Sequence, residues 1–351
     1  MPLNLGEAAP WFTAPTPTNP QFVFDTAAGR YVLMVFLPKD DAPAAAEALR
    51  LLATHRARFD DQTLSAFVVA RDPQTAATAQ DMQGLHWVLD VEGDVSRLYG
   101  VLQADGTDAP MWLLLDPTLR AVARVQLAAG QQIFDMVARL RPPADHAGTP
   151  MHAPVLTVPR IFEPELCQRL IALHQADGGA FTGVMRDEGA RTVMVMDELK
   201  RRRDVLVEDE ALQAILRDRL ERRLFPMVER GLGFRVTHIE RYVVSCYDAD
   251  DGAVFHPHRD STTQGTAHRR FACSMNLNDG YAGGDLRFAE YGPRTYRPPP
   301  GGATVFSCSL LHEATRVTAG RRYAFLPFFY DQAGADILEA YRARTLTEPA
   351  A

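Results

Sequence analysis

Cysteine is scarce and one-sided in this chain of 351 residues: there are four, Cys167, Cys246, Cys273 and Cys308, and no two of them form a C-x-x-C pair. That excludes a disulfide framework and a cysteine-built zinc site, and it leaves the first 166 residues without any thiol nucleophile. Each of the four reads as a small buried side chain. Long apolar runs are missing as well. Nothing approaches the roughly 18 to 20 uninterrupted apolar residues of a membrane span, and the opening MPLNLGEAAPWF lacks the basic-then-apolar order of an export signal. The expectation is a cytoplasmic protein that does not engage a membrane. Positive charge is in deficit, with a formal net charge of -7, which argues against general nucleic-acid binding. Lysine occurs only at Lys39 and Lys200 among 37 basic residues, a skew that points to the base composition of the coding genome and not to function. The basic run Lys200-Arg201-Arg202-Arg203 reads as a solvated face.

What is present is ordinary globular composition, 46% hydrophobic and 23% charged, in a chain long enough for two domains with a core each. The stretch RPPADHAGTPMHAP has four prolines, one glycine and no apolar periodicity. It divides the chain into a first domain at 1–141, a linker at 142–154 and a second domain at 155–351. Neither half repeats the other. In the first half, near-continuous apolar strands (YVLMVF, LSAFVVA, a strand at 87–91, MWLLL, and 121–127) alternate with helical segments at about 44–58, 94–99 and 131–140. Such strands imply a sheet covered on both faces, an α/β sandwich.

The segments GEAAPWF, VLMVFLPKDDAP, DVSRLYGVL and LLLDP come in the order and wording of the peroxiredoxin branch of the thioredoxin fold, and residues 5–140 resemble that branch. The resemblance implies a thioredoxin-like domain, and alignment through Pro38 and Pro43 shows where it departs from the family. Ala42 stands at the hydroxyl position and Ala45 at the peroxidatic cysteine. The first domain is therefore expected to be redoxin-like in fold and catalytically inactive, because a thiolate is what attacks peroxide. Pro110 stands where thioredoxin-like folds often place a cis-proline, and it reads equally as a strand-entry proline.

In the second half, residues 155–225 read as lead-in helices and loops, with helices from Glu163-Pro164 and over about 208–224. Short strands punctuated by glycine and proline follow: HIERYVVSCY, AVFHPHRD, RRFACSMNLN, GGDLRFAE, GATVFSCS and RRYAFLPFFY. They suggest a double-sheet barrel or jelly roll. Within it, His258-x-Asp260 places an imidazole and a carboxylate on one face of a strand, and His312 follows 52 residues after Asp260. Two imidazoles and one carboxylate leave positions open on an iron(II) ion for a co-substrate and O2. Arg322 lies ten residues past His312, beyond the turn-like Thr318-Ala319-Gly320. A hairpin there would aim its guanidinium into the barrel, where it can hold a carboxylate through two aligned donors.

HPHRD, SMNLNDGYAGGDLRF and FSCSLLHEATRVTAGRRYAF, with the spacing between them, resemble the prolyl 4-hydroxylase-like group of 2-oxoglutarate/iron(II)-dependent dioxygenases over residues 155–335. The resemblance implies an α+β protein of two domains, the second a double-stranded β-helix (jelly roll) with flanking helices. It implies Fe(2+) on His258, Asp260 and His312, and 2-oxoglutarate as co-substrate with its far carboxylate on Arg322 and Tyr247. It also brings in ascorbate as an optional reductant. Asp260 is a carboxylate and not the small residue of related halogenases, which implies hydroxylation with release of succinate and CO2. The substrate is a peptidyl side chain such as proline, or a small molecule. His256 and Asn276 are candidates for the substrate pocket, and His268-Arg269-Arg270 reads as a solvated strand entry or a basic lip to it. The oligomeric state is not legible. The alternatives are a cupin-like metal enzyme using His256, His258 and His312 without 2-oxoglutarate, which gives Arg322 no task, and a non-catalytic scaffold.

Overall fold

The computed structural model describes residues 3–347; residues 1–2 and 348–351, the outer ends of the two expected domains, lie outside the described residues. The chain divides into two compact units, Met1–Ala153 with Ala289–Pro293, and Pro154–Phe288 with Arg294–Ala351. Among the described residues no helix is long and apolar enough to cross a membrane.

The first unit is built on a five-stranded sheet of β1 (Tyr31–Phe36), β2 (Leu64–Ala70), β3 (Leu85–Leu89), β4 (Met111–Leu115) and β5 (Ala121–Gln126), in the order β3-β2-β1-β4-β5. The β1–β2 and β2–β3 pairs are parallel; β1–β4 and β4–β5 are antiparallel. Every residue of β1, β2 and β4 is buried, which is why these strands are apolar without alternation. Helices α1 (Ala42–Thr54) and α2 (Gly130–Val137) pack Leu51, Leu52, Ile133 and Phe134 against one core. Asp41 caps α1 by accepting the Ala44 N–H at 3.0 Å. This is the thioredoxin-like sandwich. Ala42 and Ala45 sit in the first turn of α1. No peptide bond among the described residues is cis, so Pro110 enters β4 as a trans strand-entry proline.

The second unit is a jelly roll with flanking helices. Its larger sheet contains β6 (Arg203–Leu206), β7 (Val243–Asp248), β9 (Phe271–Asn276), β10 (Ala303–Ser307), β12 (Arg321–Phe325) and β13 (Phe328–Tyr330), with the path β13-β9-β12-β7-β6 and β10 paired to β9. Its smaller sheet runs Lys200–Arg201, β8 (Val254–His258), β11 (His312–Ala314), Leu286–Arg287 and Thr295–Tyr296. Helices α3 (Pro164–Asp177) and α4 (Glu210–Arg223) bring Leu170, Leu212, Leu216 and Leu220 onto a core shared with Val244, Met275 and Phe325 of the larger sheet.

Three features depart from expectation. Residues 155–225 contain strands as well as helices, including an antiparallel hairpin of Val184–Glu188 with Arg191–Val195. A helix, α5 (Gln332–Thr347), follows the last strand. There is no hairpin after His312: Val317–Ala319 pairs with Ala282–Gly283, the chain turns at Gly320 (φ 71°), and β12 pairs instead with β7 and β9. A Cβ on Gly320 would lie 2.8 Å from the Gly280 carbonyl oxygen, so the corner requires glycine.

Candidate active site

His258 ends β8 and His312 opens β11, and antiparallel pairing sets the two residues directly opposite each other. Neighbouring strands therefore carry the imidazoles side by side. Just beyond β8, the Asp260 N–H donates to the Cys308 carbonyl at 3.0 Å. The Asp260 carboxylate then lies 3.6 Å from His258 Nε2 and 3.3 Å from His312 Nε2. One donor atom from each of the three residues lies within 4.8 Å of the others, and among the described residues no other trio of such side chains converges in this way.

The donor set suits a divalent ion. Nδ1 of His258 is 2.7 Å from the His256 carbonyl oxygen, and Nδ1 of His312 is 3.0 Å from that of Leu310. A carbonyl only accepts, so each Nδ1 carries the hydrogen and each Nε2 keeps its lone pair. Burial and the neighbouring His258 push the His312 imidazole down to about 4. Burial alone would raise Asp260, but the His312 and His258 rings outweigh it and hold the carboxyl well below the usual carboxylate range. A neutral ring beside an ionised carboxylate is the ligating state of both.

The same cavity is lined by Arg322, Tyr247 and Ser274 from the larger sheet and by apolar side chains including Phe255, Leu286 and Phe306. Arg322 and Tyr247 face each other across the β12–β7 ladder. The Arg322 guanidinium is 2% exposed; Nε donates to Asn276 Oδ1 at 3.1 Å and Nη2 to Ser274 Oγ at 2.7 Å. These two neutral acceptors orient the fork without neutralising it, so the positive charge stays available to an anion. Tyr247 accepts from Arg202 Nη1 at 2.9 Å, which leaves its own O–H free to donate into the cavity.

Other side chains stand apart from their expected places. His256 is exposed and is not among the residues lining the cavity. The pairing register of β8 shifts between Phe255 and His258, so strict alternation, which would have put His256 beside His258, breaks down. The cupin-like alternative needs that side chain in the metal site. Asn276 also does not line the cavity; its amide bridges Arg322 and the Pro298 carbonyl, making it a positioning residue.

Two basic runs that read as solvated are in fact structural. Lys200 and Arg202 are buried on either side of the outward Arg201, and both bond Asp204, Lys200 Nζ at 3.3 Å and Arg202 Nε at 2.9 Å. The every-second-residue spacing Lys200-x-Arg202-x-Asp204 is the signal that marks a buried, charge-balanced strand face. His268 and Arg269 both bond Glu240, at 2.8 and 2.6 Å. Arg202 and Arg241 line the cavity, and nothing in the local sequence pattern marks Arg241 for that place. All four cysteines are free and buried. Burial pushes the Cys273 and Cys308 thiols up, so neither offers a thiolate near the site.

Comparison with known proteins follows the same division. Residues 242–330 match the model of the 2OG-Fe(II) oxygenase superfamily, and residues 5–122 match that of the AhpC/TSA family. The chain thus joins an AhpC/TSA-type redoxin domain to a 2-oxoglutarate/iron(II) dioxygenase domain. No curated protein sequence matches it. Similar solved structures include a prolyl-4-hydroxylase from Pseudomonas putida (17% identity, 51% of this chain and 92% of that one, TM-score 0.38). Another is a Trichoplax adhaerens prolyl hydroxylase in complex with a hypoxia inducible factor peptide (16% identity, 62% and 96%, TM-score 0.41). A third is the viral collagen prolyl hydroxylase of Paramecium Bursaria Chlorella virus-1 (13% identity, 50% and 94%, TM-score 0.36).

Proposed function

We propose that the second unit binds one iron(II) through His258, Asp260 and His312 and 2-oxoglutarate through Arg322, and hydroxylates its substrate with O2, releasing succinate and CO2. The observation that carries this is one cavity offering both the convergent His-Asp-His donor set and a buried guanidinium without a carboxylate partner. Bound iron(II) would supply activation of O2 coupled to decarboxylation of the co-substrate.

The protein's part is positioning. Arg322, held by Ser274 and Asn276, receives the far carboxylate of 2-oxoglutarate, and the Tyr247 hydroxyl can donate to the same group. The aromatic and aliphatic walls keep bulk water from competing for these charges. The substrate falls within two classes, a peptidyl side chain such as proline or a small molecule. The test is to incubate the purified chain with iron(II), 2-oxoglutarate and cell extract, first without and then with air. A product heavier by one oxygen atom, formed only in air and only with 2-oxoglutarate, is expected from the parent and not from His312→Ala. Absence of succinate formation from the parent under every condition would overturn the proposal.

A further inference from the structure

One guanidinium in the cavity has no carboxylate in direct contact. Arg241 lines the cavity, and among the described residues its guanidinium makes no hydrogen bond or ion pair; its buried Nε has no partner. What holds it is packing: the guanidinium carbon lies 4.6 Å from the centre of the Phe328 ring. Its backbone has φ 49°, the left-handed region that L side chains other than asparagine and aspartate avoid. The carboxylates that could serve it are engaged elsewhere. Glu240, its neighbour in sequence, bonds His268 at 2.8 Å and Arg269 at 2.6 and 2.7 Å. Asp204 is taken by Lys200 and Arg202. Burial, then the charges of Arg269 and Arg202, push Arg241 down to about 10, so it is still a cation at neutral pH.

The charge count of the loaded site leaves this cation over. A divalent metal, Asp260, Arg322 and the doubly charged co-substrate sum to zero, while Asp204 is already shared by Lys200 and Arg202 and has no charge to spare for Arg241. A buried cation with no hydrogen-bonded partner, in a cavity that holds two further guanidiniums, is unfavourable until an anion joins it. We infer that Arg241 is the anchoring residue for an anionic group, a carboxylate or a phosphate, on the molecule that is hydroxylated, and that this substrate is a small acid. The anchor and the metal donors line the same cavity, so a molecule held by its anion on Arg241 meets the metal site within that cavity. The inference rests on the proposed function and assigns the substrate class of the same site.

The test is calorimetric titration of the full chain, loaded with redox-inert zinc(II) and saturating 2-oxoglutarate so that Arg322 is occupied. The probes are acetate and inorganic phosphate, with acetamide as the neutral control. Expected is millimolar binding of at least one anion by the parent, weakened at least about tenfold in Arg241→Gln and retained in part by Arg241→Lys. The preferred anion tells carboxylate from phosphate. The 2-oxoglutarate affinity should be unchanged in both variants, which also shows that they are folded. Equal anion binding by the parent and Arg241→Gln, no anion binding by the parent, or acetamide binding as well as acetate would each overturn the inference. So would a loss of 2-oxoglutarate affinity in Arg241→Gln matching that of Arg322→Ala, which would put Arg241 in the co-substrate cradle. Failure of the zinc-loaded parent to bind 2-oxoglutarate counts instead against the proposed function. The anion titration is then read on Arg322→Ala with and without Arg241→Gln, so that Arg241 is judged apart from Arg322.

Discussion

At the scale of single residues the site makes two kinds of demand, and they separate experimentally. On the proposed reading His258, Asp260 and His312 supply the donor atoms for iron, so Asp260→Ala and His312→Ala should each lose bound iron, measured by metal analysis of protein reconstituted anaerobically. Full iron content in both would refute the assignment. Arg322 is asked only for charge. Burying the second carboxylate of a dicarboxylate without a cation is costly. Arg322→Ala should therefore raise the 2-oxoglutarate requirement for succinate formation by about 10- to 1000-fold, on the order of 1.5 to 4 kcal/mol, with iron content nearly unchanged. Arg321→Ala is the control: that side chain is exposed and pairs with Asp248 at 2.5 Å, outside the cavity. If Arg321 proved the sensitive one, the guanidinium facing the co-substrate has been misassigned. Asn276→Ala should fall between the two, because it removes one acceptor that aims the guanidinium and no charge.

At the scale of elements, two buried charge clusters tie strands to loops. Asp204 on β6 bonds Lys200, Arg202 and Ser245. Asp204→Ala leaves two buried cations without an anion and should cost about 3 to 5 kcal/mol, read by denaturant unfolding. Glu240 is the second. Burial alone would raise its carboxyl, but hydrogen bonds from His268 and Arg269 bring it from the ordinary 4.5 down to about 2. A carboxyl depressed in the fold stabilises above its unfolded value and loses that contribution as pH falls. Stability should therefore drop between about pH 4.5 and about pH 2, by roughly 2 to 3 kcal/mol more in the parent than in Glu240→Gln. A pH profile identical in both would rule this out.

Elements also show what was legible. The apolar strands β1, β2 and β4 stood out because burial on both faces leaves them almost wholly apolar, with Ser65 of β2 buried among apolar neighbours. The hairpin at 184–195 was not legible, since its partly exposed strands carry VMRDE and RTVMV with no period-two apolar signal. The His258, Asp260 and His312 trio and Arg322 were visible as motifs. The place of His256 depended on a register shift, and that of Arg241 on a backbone conformation, and neither is written in residue type.

At the scale of the whole molecule, a redoxin-type domain without a thiol accompanies an oxygenase domain. The full chain should show no thiol-dependent peroxide consumption. Ala42 and Ala45 occupy the turn where the chemistry would sit, and the four cysteines elsewhere are buried. Peroxidase activity above that of a buffer control would contradict this. The burial of those cysteines has a consequence for durability. A site that activates O2 exposes its own protein to whatever escapes from unproductive turnover, and oxidants take thiolates first when they can reach them. Burial raises the Cys167 and Cys246 thiols to about 11, and those of Cys273 and Cys308 lie higher than the ordinary thiol as well. The wear of a working lifetime should fall instead on exposed methionine, with Met194 and Met196 at 59% and 61% exposure taking it first. Peptide mapping after prolonged uncoupled turnover should find sulfoxide at these two positions while the cysteines stay reduced, so that this enzyme ages by an injury methionine sulfoxide reductases can mend.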